Sequence, residues 1–250
     1  MDIRQAIQST KWHRLRDAEG AAGPVAELLL DLLDAGSRDE AAECVDALTD
    51  RVGHRGSAVT EATAPVTQVL SSMIADPGFR WKADVLCTLD IFSRSIGAWE
   101  RVSIFGRRSK VEKQAEAALV AALPAARGLL NEEDPEVRAM SADFLASTTP
   151  DADAVVAELM TLFAAEPNPA TRATIAEAVA RNLARMTNPA AIAKATGWCD
   201  ELLQSGEPAV RFRTARGRLA GKSSEQDPEA HRILKENSEI GSRSLWPAEL

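Results

Sequence analysis

The chain has 250 residues, 45% apolar and 26% charged, a composition that excludes a disordered protein and leaves room for a substantial core. A formal net charge of −8 excludes a protein whose main task is to coat nucleic acid, because neutralising phosphates needs a basic surface. Three scattered cysteines, Cys44, Cys87 and Cys199, exclude a disulfide framework or a cysteine metal site, and are expected to be small buried apolar residues.

Alanine dominates the apolar set, aromatics are 4% and tyrosine is absent, so an all-helical chain is expected. The first residues, MDIRQAIQSTKWHRLRDAEG, hold no unbroken apolar stretch, and no run of 18 apolar residues occurs. The expectation is a cytoplasmic chain with no signal peptide and no membrane span. Residues 1–24 read as an N-terminal capping helix.

From residue 25 one pattern recurs. VAELLLDLL (25–33) is followed by DAGSR, ending at Arg38, and VTQVLSSMI (66–74) by DPGFR, ending at Arg80. AALVAALPAARGLL (117–130) leads to DPEVR at Arg138, AVVAELMTLFAA (154–165) to NPATR at Arg172, and AIAKATGWCDELLQ (191–204) to EPAVR at Arg211. Four residues before these arginines stand Asp34, Asp76, Asp134, Asn168 and Glu207; Pro77, Pro135, Pro169 and Pro208 follow the last four. An Asp or Asn there can accept from the free amides of a first helical turn, and proline at the first helical position loses no hydrogen bond. The arginine can reach back to its own acid or to the acid of a neighbouring repeat. Ala41, Ala42, Ala83, Ala142, Ala176 and Ala215 then let helices approach closely. On this reading Asp76, Arg80, Asp134, Arg138, Arg172 and Arg211 form a structural ladder, and losing Arg138 or Arg172 costs about 1 kcal/mol each.

The unit is helix, tight turn, helix, repeated about five times, which predicts a right-handed α-solenoid over residues 25–225. Residues 226–250 read as a C-terminal capping helix and tail. One interval, 58 residues between Arg80 and Arg138, exceeds the others, and the excess falls in GAWERVSIFGRRSKVEK, residues 97–113. This reads as an inserted loop carrying Trp99, Phe105, Arg107 and Arg108 toward a partner.

The D-P-x-V-R starts with a following alanine resemble HEAT repeats, and over about residues 25–225 the chain resembles a bacterial HEAT-repeat protein. VGHRGSAVTEATAPVTQVLSSMIADP (52–77) and WHRLRDAEGAA (12–22) resemble a group of uncharacterised HEAT-repeat proteins common in actinobacteria, with departures at Arg55 and Val59. The resemblance implies a helical-repeat fold.

Convergent chemistry is sparse. His13, His54 and His231 lie far apart, with no His–Glu pair at metal-ligand spacing and no phosphate loop, so no metal or cofactor is expected. His54, between Gly53 and Gly56, reads as a helix-end histidine, with a ligand role as the alternative. RFRTARGRLAGK is the strongest charged feature. It reads either as a solvated helix face or as a docking patch of Arg213, Arg216, Arg218 and Lys222 beside the ladder residue Arg211.

A non-catalytic scaffold that binds a protein partner through its concave face is therefore the leading expectation, an immunity or regulatory protein being one such molecule. Nucleic acid and membrane are not expected partners. The alternative is an enzyme acting in the concave cleft, on a small metabolite or as an alkylated-base DNA glycosylase, with Trp81, Trp99, Trp198 and Asp84 in its site. An acid and two tryptophans around one cavity would favour the enzyme; a broad charged strip would favour the scaffold.

Overall fold

The computed structural model describes residues 2–53, 59–96, 109–220 and 227–236, with the backbone alone for 97–100. Among the described residues it holds twelve α-helices and no β-strand. No described helix is long and apolar enough to cross a membrane. The chain divides into two compact units, Met1–Leu129 and Leu130–Leu250.

The first unit contains α1 (Ile3–Ser9), α2 (Gly23–Asp34), α3 (Arg38–Gly53), α4 (Thr63–Ala75), α5 (Lys82–Glu100) and α6 (Lys110–Gly128). Helix α3 packs on α2 and α5, and α4 on α6. Their apolar faces meet in a core that includes Leu29, Leu48, Leu70, Met73, Leu86 and Phe92, all fully buried. Each such side chain contributes about 1.5–3 kcal/mol by leaving water.

The second unit contains α7 (Pro135–Thr148), α8 (Ala152–Ala165), α9 (Pro169–Asn182), α10 (Pro189–Leu203), α11 (Pro208–Leu219) and α12 (Pro228–Glu236). Helices α7, α9 and α11 lie side by side with α9 in the middle, and α12 packs on α11. Helices α8 and α10 pack against these and against each other. Between Thr171 and Ala180 every residue of α9 except Arg172 is buried. Small side chains make this possible, and the closest approach falls at Gly217 of α11. A Cβ there would lie 2.5 Å from the Glu177 carbonyl oxygen and 2.9 Å from the Ala180 Cβ.

The expected helix starts hold in this unit. Asp134 accepts from the Glu136 amide at 2.8 Å, and Asn168 from Ala170 and Thr171 at 2.9 and 3.1 Å. Glu207 precedes Pro208 at the head of α11 but makes no side-chain cap bond. The recurring arginine passes over a further start of the same chemistry, where Asn188 caps α10 ahead of Pro189.

Two of the five starts differ from expectation. Asp34 is the last residue of α2, and Ser37 stands at the head of α3, accepting from the Glu40 amide at 3.3 Å. Asp76 closes a turn instead, accepting from Gly78 at 2.8 Å, and α5 begins only at Lys82. The glycine after Pro77 favours that turn, and buried Phe79 anchors it. Arg80 is therefore an exposed turn residue, lying 4.9 Å over the Trp81 ring.

Both ends of the segment read as an inserted loop, 97–100 and 110–113, are helical instead. Helix α5 continues to Glu100, and α6 starts at Lys110 behind a capping box of Ser109 and Glu112. Trp99 is described by its backbone alone, and Phe105, Arg107 and Arg108 lie outside the described residues, as do His54 and Lys222. Of the cysteines only Cys199 is buried; Cys44 is half-buried and Cys87 exposed on α5.

Candidate functional site

Three of the recurring arginines, Arg38, Arg138 and Arg172, reach forward along the chain to a later acid. Arg138 donates from Nε and Nη2 to Glu166 at 2.8 and 2.7 Å, and from Nη1 to the carbonyls of Glu132 and Glu133 at 2.7 and 2.9 Å. Glu166 also accepts from the Asn168 amide at 2.9 Å, so one carboxylate joins the starts of α7 and α9. Arg172 pairs with Glu207 at 2.8 Å and lies 4.8 Å over the Phe163 ring. In the first unit Arg38 pairs with Asp84 of α5 at 3.6 Å. Arg211 donates to the Ser205 carbonyl at 2.6 Å.

The Glu166 side chain is only 2% exposed. Desolvation pushes its carboxyl up, but hydrogen bonds from Arg138 and the Asn168 amide outweigh it and hold the group below its ordinary value. A carboxyl depressed in the folded state stabilises the fold above its unfolded value, near 4.5, and that stability is lost as pH falls through the lower folded value. Thermal unfolding followed from neutral pH into this acid range is expected to show the loss, with a shallower acid slope in Glu166→Gln. Equal slopes would remove Glu166 from the acid sensitivity.

A second set of pairs crosses α7, α9 and α11. Glu177, itself buried, accepts from Arg213 Nη1 and from Arg216 Nε, both at 2.7 Å. One turn on, Arg181 donates to Asp143 of α7 at 2.6 Å. Glu177 and Arg181 are four residues apart on α9, and Arg213 and Arg216 three apart on α11, so the five groups form one strip across three helices. Three guanidinium groups and two carboxylates leave it with one excess positive charge.

This geometry narrows the docking patch read from RFRTARGRLAGK. Arg218 donates to Asp227 at 2.7 Å and also pairs with Asp200, tying α11 to the head of α12 and to α10. Side chains of Arg213 and Arg218 are 19% and 16% exposed, against 48% for Arg216. Arg213 and Arg218 are therefore interhelical ties, and among the described arginines of the run Arg216 is the exposed one. Glu177, Arg181 and Asp143 were not singled out from the sequence. The one local hint was an acid four residues before an arginine in an alanine-rich helix.

On the other layer, α8 and α10 enclose a groove of about 340 Å³ lined by Asp153, Val156, Met160, Met186, Lys194 and Trp198, among others. Trp198 meets Phe163 edge-to-face, 5.0 Å between ring centres. Asp153 accepts from the Thr187 hydroxyl at 2.9 Å and from the Thr187 and Asn188 amides. Desolvation works against ionisation, yet these bonds lower the Asp153 carboxyl below its ordinary value. In the first unit Trp81 donates to the Ala35 carbonyl at 3.1 Å, and Asp84 holds Arg38. The groove thus brings one acid, Asp153, beside one of the tryptophans, Trp198, and among the described residues no three His, Cys, Asp or Glu side chains converge as metal ligands.

Compared with protein-family models, and with the curated proteins, the chain matches none.

Proposed function

We propose that this chain is a binding scaffold with no chemistry of its own, which recognises a protein partner through the charged strip on α7, α9 and α11. On this reading the helix pairs stack as a right-handed α-solenoid of HEAT-like repeats and the strip belongs to its concave side. The forward pairs Arg138–Glu166 and Arg172–Glu207, each joining one helix start to the next, support the repeat.

The observation that carries the binding role is the sharing of Glu177. Two arginines hold one buried carboxylate, so Arg216 can leave for an acidic group on a partner while Arg213 keeps Glu177 paired. The usual penalty for breaking a buried pair, an uncompensated charge in the interior, is thereby avoided. An acidic side chain on the partner would complete the strip's charge. A protein that acts by occupying another protein's surface, such as an immunity or regulatory protein, fits this design.

The test uses a partner recovered from the native host and purified. Arg216→Glu is expected to weaken its binding about tenfold or more and to flatten the salt dependence, with thermal unfolding little changed. Unchanged affinity would remove Arg216 from the interface. Tight, salt-sensitive binding of the unaltered chain to generic duplex DNA would overturn the scaffold reading.

A further inference from the structure

The short turn Leu183–Arg185 that follows α9 carries a further arginine. Arg185 donates from Nη1 to the Ala146 carbonyl and to Asn182 Oδ1, both at 2.7 Å, and from Nη2 to the Thr149 carbonyl at 2.8 Å. Ala146 and Thr149 lie at the end of α7, where the last carbonyls have no partner inside the helix. Asn182 is itself buried and fixed by a bond to the Ala178 carbonyl at 2.8 Å. The guanidinium is thus held in one place, while the residue remains exposed.

Ties to α7 account for the position of Arg185 but not for its charge, because all three oxygens are neutral. Desolvation, and after it the like charge of Arg181, lower the guanidinium below its ordinary value, whereas the bond to Glu166 raises Arg138. A carboxylate beside Arg185 would offset both effects.

The charge belongs to the strip already described. Glu177, Arg181 and Arg185 follow one another at intervals of four, one row along α9 and its continuation. The row meets Arg213 and Arg216 of α11 at Glu177, Asp143 of α7 at Arg181, and the end of α7 at Arg185. Among these groups, four guanidinium ions stand against two carboxylates, which leaves two positive charges in excess. Arg181 and Asp143 cancel in the middle, so the excess sits at the two ends. From Glu177, which holds Arg216, to Arg185 is eight residues, about 12 Å along the axis at 1.5 Å per residue.

We infer that the partner presents two carboxylates about 12 Å apart, one for Arg216 and one for Arg185. Arg185 is the fixed anchor of the two: it is already immobilised, so it loses little freedom on binding, while Arg216 must first leave Glu177. This rests on the reading of the strip as the partner's docking surface, and adds the number and spacing of the acids it recognises.

The test titrates the full chain with the same purified native partner at several salt concentrations. Arg185→Gln, which keeps amide donors and removes the charge, is expected to weaken binding about tenfold and to flatten the salt dependence. Arg185→Lys, which keeps the charge and loses the fork, is expected to stay within about threefold of wild type. Combining Arg185→Gln with Arg216→Gln is expected to multiply the two single losses, because well-separated groups on separate acids act independently. Equal losses in the Gln and Lys variants would make Arg185 a structural tie alone and overturn the inference. A double variant no weaker than the worse single one would overturn it too, since one acid would then serve both arginines. Should Arg216→Glu weaken binding and Arg185→Gln leave it unchanged, the strip stands and the second acid falls. Should Arg216→Glu have no effect, the reading of the strip itself has failed.

Discussion

Replacing Arg138 by alanine is expected to destabilise the unit containing α7–α12 by about 3 kcal/mol or more, well beyond the 1 kcal/mol that its place in a repeated helix start suggests. The difference lies in what is left behind. Glu166 is buried and takes two bonds from this one guanidinium, so the variant strands a carboxylate in the interior. The Glu132 and Glu133 carbonyls also lose their donor. Arg172→Ala is expected to cost only about 1 kcal/mol, because its pair with Glu207 is roughly one-third exposed on both sides and water can take over. Denaturant unfolding of both variants measures the contrast. A double variant, Arg138→Ala with Glu166→Leu, is expected to recover part of the loss by removing the stranded charge. Equal losses at Arg138 and Arg172, with no recovery in the double variant, would mean that the Glu166 carboxylate is not the cause.

The second large effect is expected at Gly217, where alanine lowers stability by about 2 kcal/mol although it is the better helix former. The added methyl would sit 2.5 Å from a carbonyl oxygen and 3.2 Å from the Arg181 amide nitrogen, both backbone atoms of α9. Backbone cannot rotate aside as a side chain can, so α9 and α11 must separate. That separation also loosens Glu177 from Arg213 and Arg216. The same substitution at Gly197 is expected to have the opposite sign and raise stability by about 1 kcal/mol, since among the described residues nothing opposes the methyl there. Two glycines in neighbouring helices thus separate a crowded position from an open one. Thermal unfolding of both alanine variants decides it, and a stabilised Gly217→Ala would contradict the close crossing of α9 and α11.

The helix starts at Pro135, Pro169 and Pro208 were legible because that chemistry is local: a capping residue, a proline and the first amides lie within a few positions. Local chemistry also explains where the pattern overreached. DPGF contains the same acid and proline as DPEV, but its glycine turns the chain, and Asp76 caps a turn rather than a helix. Ser109 and Glu112 spelled out a helix start inside a segment whose glycines and charges suggested a loop. Where the arginines go was only half legible. The pairs span distances the local pattern does not encode, 28 residues forward from Arg138 to Glu166 and 36 back from Arg213 to Glu177. A basic run such as RFRTARGRLAGK therefore read as a solvated face or a docking patch, when Arg213, Arg216 and Arg218 are answered by acids on α9, α10 and the head of α12.

The binding role is tested most directly by titrating the purified native partner against wild type and Arg216→Glu at low and high salt, with thermal unfolding of both proteins recorded alongside. The expected result is a wild-type affinity that falls with salt and a variant that starts about tenfold weaker, responds less to salt and unfolds at nearly the same temperature. The contradicting result is equal affinity and equal salt dependence for the two proteins, which would place the partner away from the strip on α7, α9 and α11.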